Sequence, residues 1–180
     1  MRSGVWSVGA VLCLSLLAAC ARNTSQTSRV HYEKGLQEYR AGRRTDAIKE
    51  YREAIRLNPN SAEAHNDLGV VLSDVGERDA AIEEYRQALR LRQAYAEAHN
   101  NLGVALLEAG QLVFAVSEYR QAVALKPDFA QARYNLCLGL ELLGQLRDAL
   151  AHCRAAAQSE PHLPGVADTV ARLQSKLATQ

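Results

Sequence analysis

Apolar residues recur along most of this chain at helical rather than strand spacing. Leu68 and Leu72 form one stripe, and Ile82, Tyr85 and Leu89 another, with charged residues between them. The pattern predicts two helices, Ala62–Val75 and Asp79–Leu91, joined by a turn at Gly76. Val166, Val170, Leu173 and Leu177 fall on a further stripe, with Pro164 suited to the first turn of that helix. A different pattern opens the chain: Arg2, then a mainly apolar run from Val5 to Ala19, short for a bilayer span of about 20 residues.

The helical pattern repeats. Glycines stand at 42, 76, 110 and 144, alanines at 47, 81, 115 and 149 and again at 54, 88, 122 and 156, all at a spacing of 34. Gly35, Gly69 and Gly103 form another series, as do Tyr51, Tyr85 and Tyr119, while Pro59, Pro127 and Pro161 share the lattice with Gln93 in the vacant slot. A fixed period of this length marks a solenoid, because one unit cannot bury its apolar face without a neighbour. Small residues such as Gly69 and Ala81 let the two helices of a unit approach, and the prolines stop the second helices.

With Leu68-Gly69 followed by Ala81, Tyr85 and Ala88, the unit resembles the tetratricopeptide repeat, a 34-residue helix pair. The resemblance implies an all-α fold: a right-handed α-solenoid of four helix pairs, Ser28–Ser61, Ala62–Tyr95, Ala96–Phe129 and Ala130–Leu163, closed by a capping helix over 164–180. It also implies a function, the binding of a protein or peptide segment on the concave face lined by first helices. Carried onto this chain, that face consists of Tyr32, Asn66, Asn100 and Tyr134 in one row and Leu36, Val70, Val104 and Leu138 in the next. The amides would exchange hydrogen bonds with a peptide backbone. The family's clamp for C-terminal carboxylates is not expected, since four of Tyr32, Leu36, Asp67, Glu97 and Asn101 lack its chemistry.

Composition and charge narrow the field. Hydrophobic residues make up 48% of the chain, aromatic ones only 6%, and the formal net charge is +1, which gives no warrant for a nucleic-acid partner. Leu17-Ala18-Ala19-Cys20 resembles the bacterial lipobox, which implies a signal peptide over 1–19, acylation of Cys20, and a short polar tether over 20–27. Such an anchor places the array in the cell envelope, on the periplasmic face of the outer membrane. Lipid-anchored members of the family assemble pilus secretins, outer-membrane barrels and peptidoglycan enzymes, the pilus role being the first choice here. A self-associating structural subunit of an envelope complex is the alternative.

No chemistry for catalysis or a cofactor stands out. His31, His65 and His99 are spaced by 34, so they lie about 10 Å apart by helix-packing distances, too far to share a zinc whose ligands sit at about 2.0–2.1 Å. No phosphate-cradling glycine loop or nucleophile elbow is present. The fourth unit is the odd one. Cys137 takes the slot of Gly35, Gly69 and Gly103, and Cys153 that of Tyr51, Tyr85 and Tyr119. Two reduced thiols in compensated packing are expected. A disulfide is the less favoured alternative, because the two slots are expected about a turn out of opposition. Lys34 stands where later units have Leu68, Leu102 and Leu136, which leaves the first helix polar and open to a partner.

Overall fold

The computed structural model describes residues 24–179, and among them the chain forms nine helices and no strand. They are α1 (24–40), α2 (Arg44–Leu57), α3 (Ala62–Asp74), α4 (Arg78–Leu91), α5 (Ala96–Glu108), α6 (Leu112–Leu125), α7 (Ala130–Leu142), α8 (Leu146–Ser159) and α9 (Val166–Ala178). The expected signal peptide over 1–19, the expected lipidation site Cys20 and the first part of the expected tether lie outside the described residues. Residues 24–27, expected as tether, are helical and belong to α1.

Helices pair within a repeat, and each pair's second helix packs on the first helix of the next repeat, so the whole is an α-solenoid. The tight turn inside each repeat has one chemical requirement. Gly76 sits at φ +83° with open space around its α-carbon, and the Glu77 N–H reaches back to the Leu72 carbonyl at 2.9 Å. The same closure recurs at Gly42, Gly110 and Gly144, where a side chain would be strained by the backbone rather than crowded. Between repeats the second helices end at Leu57, Leu91, Leu125 and Ser159. α4 stops at the common place although Gln93 replaces proline there, so the proline reinforces a stop that packing already sets.

Gly69 answers to a different constraint. A Cβ there would lie 2.7 Å from the Tyr85 ring, and Gly35 and Gly103 stand in the same relation to Tyr51 and Tyr119. Each glycine thus lets the first helix lie directly on a tyrosine of the second. These rings, with Leu68, Leu72, Val116, Leu136 and Leu140, build one continuous core.

α9 starts later than expected. Pro164 precedes it, and Gly165, in the left-handed region at φ +76°, forms its N-cap. A Cβ on Gly165 would meet the Tyr134 hydroxyl at 2.7 Å, so both conformation and space select glycine. Val166 and Leu173 of α9 are wholly buried on the end of the array.

Candidate functional site

First helices α1, α3, α5, α7 and α9 follow one another along the array, and the two predicted rows have different fates. Asn66 and Asn100 are only 5% and 6% exposed. The Asn101 amide donates to Asn66 Oδ1 at 3.1 Å, and the Asn135 amide to Asn100 Oδ1 at 2.8 Å. At the two ends the Tyr32 hydroxyl donates to Asp67 Oδ2 at 2.7 Å, and Tyr134 Oη lies 3.1 Å from Thr169 Oγ1. Tyr39 to Asp74 at 3.0 Å and Lys176 to Glu141 at 2.8 Å add parallel rungs. Every rung joins a residue to the one 35 positions on, from α1 to α9.

This corrects the expectation for the first row: its amides and phenols are spent joining repeats and are not a free surface for a peptide backbone. The 34-residue lattice aligns like with like, but the side chain on one first helix meets the following lattice position on the next. Adjacent polar pairs, Asn66-Asp67, Asn100-Asn101 and Tyr134-Asn135, were the sequence signal for it. The second row stays partly open. Leu36, Val70, Val104 and Leu138 are all half-buried, the first three packing on the core while keeping one side exposed.

The periodic histidines serve the interior of their own repeats. Nδ1 of His31, His65 and His99 lies 2.7, 2.6 and 2.6 Å from a carboxylate oxygen of Glu50, Glu84 and Glu118 on the second helix. Nε2 of His65 faces the Pro59 carbonyl at 3.1 Å and that of His99 the Gln93 carbonyl at 3.0 Å. With an acceptor at each nitrogen, the His99 ring satisfies both only as imidazolium. Burial pulls the His99 pKa down, but the hydrogen bonds to Glu118 and the Gln93 carbonyl outweigh it and leave the pKa raised. No group of three or more metal-ligating side chains gathers among the described residues. Lys34, expected to face a partner, donates to Glu50 at 2.7 Å and so answers the same carboxylate as His31.

The fourth repeat departs in both of these slots. Arg133 replaces the histidine and holds the Pro127 carbonyl through Nε, while His152 replaces the glutamate. Burial first, then the nearby Arg133, depress the His152 pKa, and its buried Nδ1 has no partner among the described residues. Cys137 and Cys153 are joined in a disulfide with Cα atoms 5.4 Å apart, both side chains wholly buried. The expectation of two reduced thiols is therefore corrected. The slots are not a turn out of opposition: they are those in which Gly69 touches Tyr85, so the Cβ-to-ring contact of the other repeats becomes a covalent bond here.

Comparison with known proteins agrees with this geometry. No curated protein matches the chain. Among solved structures, Pseudomonas aeruginosa pilF superposes with a TM-score of 0.78 at 26% identity, covering 87% of this chain and 72% of that one. MamA from Desulfovibrio magneticus RS-1 superposes with a TM-score of 0.76 at 21% identity, covering 84% and 86%. The first TPR of Spaghetti (RPAP3), bound to the HSP90 peptide SRMEEVD, gives 0.65 at 22% identity, covering 67% and 95%. Profiles of the TPR repeat match residues 35–76 and 74–110, and the tetratricopeptide-repeat profile matches 96–129. With four Gly-closed helix pairs stacked in register and that match over half its length, the chain belongs to the tetratricopeptide-repeat family.

Proposed function

We propose that this protein is a non-enzymatic, lipid-anchored adaptor of the cell envelope that holds another envelope protein on the face of its first helices. The observation that carries the reading is the half-open apolar row Leu36, Val70, Val104 and Leu138, which runs along the array beside a row whose amides and hydroxyls are engaged with neighbouring repeats. A surface of that kind offers a continuous apolar floor to an extended or helical segment. Two further observations support the compartment: the Leu17-Ala18-Ala19-Cys20 ending and the buried Cys137–Cys153 bridge, which suits an oxidising space outside the cytosol. Among envelope roles, assembly of a pilus secretin stands first, in keeping with the similarity to Pseudomonas aeruginosa pilF.

Cross-linking in intact envelopes, followed by mass spectrometry, is the test. Cross-links from the first helices to one envelope protein are expected. Intact mass should show an acylated N-terminal Cys20, and retention of the preceding residues or an unmodified cysteine would sink the anchor. A second reading, self-association as a structural subunit, draws on one observation: Val113, Phe114 and Leu142 are 67%, 64% and 64% exposed. Mass that rises with concentration, without an envelope partner, would select it.

A further inference from the structure

Between α1, α2 and α3 the open face dips into a cavity of 90 Å³ lined by Leu36, Tyr39, Tyr51, Asp67 and Val70. Two of these groups are left incomplete by the fold. The Tyr51 side chain is wholly buried, packed with its ring on Gly35 and 5.8 Å from the Tyr32 ring, and its hydroxyl has no hydrogen-bond partner among the described residues. Asp67 accepts from Tyr32 on Oδ2 and from Asn66 on Oδ1, which leaves each oxygen a free lone pair, and no cation of the described residues pairs with it. Burial pushes its pKa up against those two hydrogen bonds.

A half-buried carboxylate without a counter-charge and a buried phenol without a partner are both unfavourable, and one ligand group resolves the two together. That group must be cationic and carry several N–H donors. An alkylammonium does so, with the phenol rings of Tyr39 and Tyr51 beside it and Leu36 and Val70 along its stem. A metal ion is a poor occupant, since only one carboxylate is present. Other acids of this region are already answered: Asp74 by Tyr39 and Arg44, Glu63 by Arg92. The slot of Asp67 is occupied by Asn101 and Asn135 in the next repeats, whose amides donate along the ladder, and by Glu33 in the first, which is exposed and paired with Arg29, so only at Asp67 does the slot carry an unanswered charge.

We propose that this cavity is a lysine-binding pocket, in which Asp67 and the Tyr51 hydroxyl receive the ammonium of a lysine side chain carried by the partner segment. It rests on the adaptor reading only for the source of that lysine. The probes are N-acetyl-lysine methylamide and its norleucine counterpart, which lacks the ammonium, followed on the full chain by methyl NMR. The lysine probe should shift the Leu36 and Val70 methyls saturably and the norleucine probe should not. Asp67→Asn keeps an acceptor for Tyr32 and should weaken the lysine probe by about tenfold or more. Tyr51→Phe should weaken it by about threefold to fivefold, with a melting temperature no lower than that of the parent. Equal shifts from norleucine, no saturable shift, or an Asp67→Asn titration like the parent's would each overturn the pocket. If the lysine probe binds as stated but Asp67→Asn leaves the envelope cross-links intact, the pocket stands and the adaptor reading through this face falls. Loss of those cross-links in Asp67→Asn without any probe binding would do the reverse.

Discussion

The first three repeats and the fourth place the same backbone under different chemistry. In the first three, a glycine lies on a tyrosine ring and a histidine on the first helix meets a glutamate on the second. In the fourth, two cysteines bond where glycine and tyrosine would touch, and Arg133 and His152 leave the polar pair without an acid. The helix pairs of the second, third and fourth repeats are the same length. What the scaffold requires at these slots is a fixed approach of two helices, and a large ring over a bare α-carbon or a short covalent bridge supplies it equally well.

If the bridge replaces the ring contact, breaking it should hurt the fourth repeat most. It spans a sequence separation of 16 residues, and closing a loop of about that length stabilises by about 3 kcal/mol. Cys153→Ala should therefore unfold at clearly lower urea than the parent in oxidising buffer, and Cys137→Gly with Cys153→Tyr should recover much of the loss. A double variant no better than Cys153→Ala would break the equivalence of the two solutions. In the other repeats the counterpart is Gly103→Ala, whose new Cβ would fall 2.6 Å from the Tyr119 ring. Overpacking of this kind costs about 1–3 kcal/mol in equilibrium melts, whereas Cys137→Ala should show only the loss of the bridge.

The ladder between repeats should give a smaller effect. Asn100→Ala leaves the Asn135 amide without its acceptor, for a loss of about 1–2 kcal/mol; urea melts that do not move would show the rung to be dispensable. The smallest effect, and the sharpest in sign, separates the two polar pairs. His99 has a raised folded pKa, so its contribution is full below the unfolded value of about 6.5 and disappears as pH rises through the folded value. His152 has a lowered one, so its contribution is full above about 6.5 and is lost as pH falls through the folded value. Melts of His99→Gln and His152→Gln between about pH 5 and 8 should change the slope of stability in opposite directions.

The helix pairs and their order were legible because glycine, alanine and tyrosine recur at one spacing, and that spacing has one architectural solution. The function of individual slots was less so. Gly69 and Tyr85 are read from sequence as members of two separate series; only the folded chain shows that they touch, which is why Cys137 and Cys153 looked too far apart to bond. Asn66 and Asn100 looked like amides open to a peptide backbone because a repeat lattice compares each residue with its own equivalents and is silent on the offset by which neighbours meet. Leu36, Val70, Val104 and Leu138 were easier, since an apolar residue outside the core stripe has few places to go but a half-open face.

The rungs at a step of 35 have a mechanical consequence. Successive first helices are latched to one another from Tyr32 to Thr169, and at the first two junctions Arg44–Asp74 and Arg78–Glu108 add an ion pair from the second helix to the next first helix. Any flexing that spreads the first helices must lengthen these latches in series. The array is therefore a curved rod with a stiff inner edge, whose groove keeps its width. A segment that docks there must match a channel set in advance, and a pull on one end of the rod is transmitted to the other as rotation of the whole body rather than as local opening.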